Sequence, residues 1–138
     1  MPNRIEITGN LGQAPNLKYV ETPRGKRQVA EFTIFADEYR RNAADELEQS
    51  GGFWCRVTAW EPQAERVAKL LSRGARVHVV GAVRVTKWTD EHDQEQTGID
   101  VSAEKVTLEL GRVESVTLKR RAEADAEVAA DGPGDPPL

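Results

Sequence analysis

Three tryptophans occur in 138 residues, and two of them flank an arginine in the run Phe53-Trp54-Cys55-Arg56-Val57-Thr58-Ala59-Trp60. Alternate side chains of an extended strand point to opposite faces. On that sorting Phe53, Cys55, Val57 and Ala59 make an apolar face fit for an interior, and Trp54, Arg56, Thr58 and Trp60 make the other. The third tryptophan repeats the pattern: Val77, Val79, Gly81, Val83 and Val85 sort inward, while Arg76, His78, Arg84, Thr86 and Trp88 sort outward. Ala30, Phe32, Ile34 and Ala36 read as core, which leaves Phe35 and Tyr39 on the opposite side. Large aromatics on an outer face expose surface that soluble chains ordinarily cover. Flat rings interleaved with guanidinium groups suit the stacking of unpaired nucleic-acid bases, at roughly 1–3 kcal/mol per base, with the cations on neighbouring phosphates. The same rings could instead be covered by a second subunit or a loop, and strand parity alone leaves both readings open.

The cations nearest these runs are Arg4, Lys18, Arg24, Lys26, Arg27, Arg56, Arg73, Arg84 and Lys87, and all are candidate phosphate contacts. Arg56 stands out because it lies between two tryptophans, and Arg24, Lys26 and Arg27 stand out as a cluster. Catalytic chemistry finds no such support. No phosphate-binding glycine loop, nucleophile elbow, metal-ligand spacing or paired His and carboxylate is present, so no catalytic residue, metal or cofactor is expected. The single cysteine, Cys55, excludes an internal disulfide and reads as a buried structural thiol, since reactivity requires exposure and a basic neighbour. His78 and His92 are the only histidines, and His78 reads as an incidental surface residue.

Short runs rich in Val, Ile and Thr must position these groups. They predict strands at 4–11, 15–21, 28–39, 53–60, 76–88 and 97–110, with turn signals at Gly9 to Gly12, Pro23 to Gly25, Gly51-Gly52 and Gly98. Ala64, Val67, Ala68, Leu70 and Leu71 recur at helical spacing, with Pro62 near the start and Gly74 as a stop, and predict one helix at about 62–73. Residues 38–49 read as a polar loop with transient helicity. The order suggests an all-β chain: a five-stranded OB-fold barrel with one α-helix between strands three and four. In that fold the loop bearing Arg24, Lys26 and Arg27 borders the ligand groove. Gly9 and Gly81 interrupt strands where such a ring needs bends.

The formal charge of −4 is unevenly placed. The first 121 residues hold all 19 Lys and Arg, and residues 122–138 hold Glu123, Asp125, Glu127, Asp131 and Asp135, five of the 23 acids. The body is therefore close to neutral, and nucleic-acid affinity must come from charge placement and stacking rather than from a strongly basic surface. The chain divides into one domain at 1–112 and a flexible acidic tail at 113–138, whose residues from Ala122 onward cannot bury enough surface to order themselves. No apolar run is long enough to span a membrane, and the start lacks the pattern of a signal peptide, so a soluble, cytoplasmic and nucleoid-associated protein is expected.

Over about residues 3–110 the chain resembles the bacterial single-stranded-DNA-binding protein family. The resemblance is carried by five ordered blocks: RIEITGNLGQAPNLKY, VAEFTIFADE, WCRVTAW, LLSRGARVHVVG and VRVTKWTDEHDQ. It implies that Trp54, Trp60 and Trp88 stack bases, with a further aromatic near Tyr39. It also implies largely sequence-independent coating of single-stranded DNA during replication, recombination or repair, by a homotetramer of barrel dimers. Tails of that family recruit replication and repair proteins through several Asp followed by an apolar residue, Pro and Phe. Here Asp135 and Leu138 are the matching elements, which implies weak docking on general host enzymes or a dedicated partner. A rival reading is a primosome-type OB-fold adaptor that works mainly through protein contacts. An OB-fold enzyme subunit or tRNA-binding module is another.

Overall fold

Six strands and one helix lie within residues 3–120, the part of the chain that the computed structural model describes. The strands are β1 (Asn3–Leu11), β2 (Asn16–Thr22), β3 (Gly25–Arg41), β4 (Leu47–Trp60), β5 (Arg76–Thr89) and β6 (Glu95–Leu108), and the helix α1 (Ala64–Leu70) lies between β4 and β5. The sheet runs β1-β5-β6-β4-β3-β2, and β1 also pairs with β3 at Asn10↔Phe35 and Leu11↔Ile34. Those two pairs close β1, β5, β6, β4 and β3 into a ring, outside which β2 extends β3. Counted around the ring alone, α1 sits between the third and fourth strands in chain order, as the sequence predicts. Every pairing is antiparallel except β4 with β6, which join in parallel from Cys55↔Ile99 to Ala59↔Ala103.

The alternating apolar residues fill the ring. Ala30, Phe32, Ile34 and Ala36 of β3, Cys55, Val57 and Ala59 of β4, and Val77 and Val79 of β5 are all buried. Each such valine or isoleucine contributes about 1.5–3 kcal/mol by leaving water. Ala64 and Val67 of α1, with Leu71 just beyond it, pack onto the same core. Two glycines let strands cross closely: a Cβ on Gly9 would lie 2.2 Å from the Phe35 carbonyl oxygen, and one on Gly81 would lie 2.2 Å from that of Ser102. Both positions therefore have the structural role expected of them. No helix among the described residues is long and apolar enough to cross a membrane.

The segment 38–49 is not a loop with helical character. β3 continues to Arg41 and β4 begins at Leu47, paired as Tyr39↔Gln49, Arg40↔Glu48 and Arg41↔Leu47 beyond a register shift at Glu38/Tyr39. Asn42 makes the turn: its side-chain oxygen accepts from the backbone N–H groups of Ala44 (2.9 Å) and Glu46 (3.0 Å), and Asp45 takes φ 60°. Ala, Glu and Leu favour a helix weakly, and pairing along an existing strand overrides that preference. Val83 and Val85 also depart from their inward sorting, Val83 being half-buried and Val85 58% exposed. β1 pairs with β5 only as far as Val83, and β4 pairs with β6 only from Ile99, so the outer half of the β5–β6 hairpin has no layer beneath it. The helix is shorter than predicted because Leu71 turns extended (φ −96°, ψ 146°) while staying buried, and apolar spacing does not distinguish the two. Gly98 lies inside β6 rather than in a turn.

Candidate nucleic-acid interface

The outer faces of β4, β6 and β5 meet in one row. Arg56 is the register partner of Asp100 across the parallel pair, and Asp100 is in turn the partner of Arg84 across the antiparallel one. Asp100 holds Arg56 by two bonds: Nε donates to Oδ1 at 3.2 Å and Nη2 to Oδ2 at 2.9 Å. Hydrogen bonding to that carboxylate, together with its charge, pushes the Arg56 guanidinium above its ordinary value. Two open clefts share this ion pair as a common wall. One, of about 690 Å³, is lined by Trp60, Thr58, Arg84 and Ser102, and the other, of about 540 Å³, by Trp54, Trp88, Lys87 and Thr86.

All three tryptophans are outward, as strand parity requires: Trp54 is 57% exposed, Trp88 51% and Trp60 36%. Each is nevertheless braced. Trp60 donates its indole N–H to Ser102 Oγ at 3.2 Å. Trp54 meets Phe35 edge-on, with ring centroids 5.3 Å apart at 61°. Trp88 leans diagonally across the strand pair onto Gly98. Aromatic rings held this way present a face without spending side-chain freedom at the moment of contact.

The cations are distributed less simply than the sequence suggests. Arg56, Arg84 and Lys87 reach the clefts. Arg4 is paired with Glu104, Lys18 with Glu31, Arg27 with Glu61 at 2.9 Å and Lys87 with Glu95 at 3.9 Å. Hydrogen bonds from Arg27 and the Gln28 backbone hold the Glu61 carboxyl below the usual range. Arg24 and Lys26 stand at the tip of the β2–β3 hairpin, and Arg73 stands in the turn after α1; none of the three lines either cleft. Tyr39, 52% exposed, also lies apart, on the β3–β4 hairpin. Its hydroxyl bonds Asp37, which is also held by Arg76 at 3.2 Å on both oxygens. Asp135 and Leu138 lie outside the described residues. His78 is bonded at both ring nitrogens, to Thr8 (2.8 Å) and Glu6 (2.9 Å), on the outer face of β1 and β5. Cys55 is buried against the core, and that burial pushes its thiol up to about 11.

Asp100 and Ser102 escape a search for cations and aromatics. The signal was present nonetheless, since Val101 and Ala103 are buried and alternation places Asp100 and Ser102 outside. Among the described residues, no group of three or more His, Cys, Asp or Glu side chains could hold a metal ion.

The model of the single-strand binding protein family matches residues 2–109. Single-stranded DNA-binding protein 1 of Xylella fastidiosa (strain 9a5c) is 29% identical over 112 residues, spanning 80% of this chain and 78% of that protein. Among solved structures, the small single-stranded DNA-binding protein from Streptomyces coelicolor matches with a TM-score of 0.69 at 20% identity, over 80% of this chain and 97% of that one. The structural likeness speaks for a shared fold.

Proposed function

The chain belongs to the single-strand binding protein family, and on that premise we propose that it coats single-stranded DNA by stacking bases on Trp54, Trp60 and Trp88. One observation carries the reading: three exposed tryptophans and two strand arginines line adjoining clefts on one outer face. Every base has a π-face, so such a surface binds with little regard to sequence. Arg84 and Lys87 meet phosphates directly, and Arg56 does so in competition with Asp100. Arg24, Lys26, Arg27, Arg73 and Arg4 lie off the clefts and serve a strand that wraps past them. In the cell this is a binding protein of DNA replication, recombination and repair, cytoplasmic and nucleoid-associated. It acts as a homotetramer, and its acidic tail engages partner proteins.

Titration of the intrinsic tryptophan fluorescence with single-stranded DNA, RNA and duplex DNA tests the reading. Strong quenching by single-stranded DNA, little affected by scrambling the sequence, is the expected result. Absence of quenching transfers weight to an adaptor that works through protein contacts. Light scattering tests the assembly: a mass near four chains is expected, and a mass near one refutes it.

A further inference from the structure

Trp54 and Trp88 rest on glycines. A Cβ built on Gly12 would stand 2.9 Å from Cζ3 and 3.0 Å from Cη2 of Trp54, and one on Gly98 would stand 2.8 Å from Cζ3 and 3.2 Å from Cη2 of Trp88. Carbon atoms pack at about 3.5–4.0 Å, so neither ring could stay where it is above an alanine. The two seats are built from different elements. Gly12 follows β1 and is fastened by its N–H to the Thr33 carbonyl at 3.0 Å, whereas Gly98 sits within β6 opposite Thr86. Both rings nonetheless settle by the same corner of the indole, and both line the same cleft.

We propose that Gly12 and Gly98 are positioning residues for base stacking, their missing side chains letting Trp54 and Trp88 lie low on the sheet and hold the cleft between them open. The proposal rests on the stacking reading above and deepens it. Neither glycine needs a backbone conformation closed to alanine, because neither has a positive φ. The nearest atoms in conflict are the outer ring atoms of exposed side chains rather than backbone, so a braced indole can be pushed aside without moving a strand. Alanine at either place therefore leaves the ring of strands intact and displaces the indole. A displaced indole narrows the cleft and tilts the face that a base would meet.

The test measures binding of fluorescein-labelled oligo(dT) by Gly12→Ala, Gly98→Ala, Trp54→Ala and Trp88→Ala, singly and in matched pairs, with thermal melting as a control. Each tryptophan variant should lose about fivefold to a hundredfold in affinity. Each glycine variant should lose an intermediate amount, with a changed quenching amplitude and an unchanged melt. In the Trp54→Ala background Gly12→Ala should cost nothing further, and likewise Gly98→Ala in the Trp88→Ala background. Trp54→Phe, which lacks the conflicting corner of the ring, should bind equally well with glycine or alanine at position 12. Parental affinity in both glycine variants overturns the proposal while the stacking reading stands. Glycine losses that persist in full without the matching tryptophan also overturn it, because they then act through the fold. If neither tryptophan variant weakens binding, the stacking reading itself fails.

Discussion

Asp100→Asn should make the protein bind single-stranded DNA more tightly. The wild-type carboxylate meets Arg56 at 3.2 and 2.9 Å and is the register partner of Arg84, so it neutralises the centre of the face proposed to receive the DNA strand. Asparagine keeps the shape and removes the charge, leaving Arg56 to neutralise one more phosphate. Binding to single strands weakens with salt at a slope of about −0.7 per neutralised phosphate. One added contact therefore steepens the slope by about 0.7 and makes the variant tighter by roughly eightfold at about 50 mM salt, converging with the parent near about 1 M. Between about 50 and 200 mM the advantage shrinks by about 2.6-fold. The cost to stability is on the order of 1 kcal/mol, since Arg56 is 57% exposed although Asp100 is only 22% exposed. Fluorescence titrations over a salt series provide the measurement, with thermal melting as control. An unchanged slope together with weaker binding would refute the reasoning, because Asp100 would then serve to orient Arg56 and not to compete for it.

Replacing Trp54, Trp60 or Trp88 by alanine should each cost about 1–3 kcal/mol in binding, and parental affinity in all three folded variants would end the stacking model. Cys55, buried with its thiol pushed up to about 11, should resist a thiol reagent in the native protein at pH 8 and react fully once denatured, whereas rapid native labelling would contradict the burial. Burial pushes the Asp37 carboxyl up, but hydrogen bonds from Arg76 and Tyr39 outweigh it and leave it below its ordinary value, so its stabilisation is complete above the unfolded pKa and is lost as pH falls through the folded one. Asp37→Asn should accordingly melt lower than the parent at pH 7, with a gap that closes below about pH 4; a gap independent of pH would refute this. Truncation after Arg121 should raise affinity for DNA at low salt by removing five tethered carboxylates, and no change at low salt would show that the segment does not compete.

Period-two alternation was enough to find the inner faces of β3 and β4 and the outward tryptophans, because a one-residue slip would have buried the wrong set entirely. It failed where no second layer exists. Val83 and Val85 continue the inward pattern of β5, yet the hairpin has outgrown the ring there, and only knowledge of where β1 and β4 stop pairing with it could have shown this. Composition misled at 38–49, where helix-favouring residues pair as strands because β3 and β4 are already aligned. In the site, residue type revealed the rings and the cations but not their partners. Asp100, Glu61 and Glu104 come from distant segments and Glu31 from the neighbouring strand, so which arginines and lysines are already engaged is a property of the register.

The parallel seam between β4 and β6 also sets when the tryptophan-lined face comes into being. Trp54, Arg56 and Trp60 belong to the hairpin of β3 and β4, and Trp88 belongs to a separate one formed by β5 and β6. Arg56 and Asp100 are 44 residues apart, and no short turn brings them together. Closing that span costs chain entropy before any contact rewards it, which places the seam late in folding. On a ribosome the rings of the first hairpin emerge well before their counterparts, and the two clefts form only after residue 103 has left the exit tunnel. A nascent chain can therefore carry two of its three tryptophans before either cleft exists.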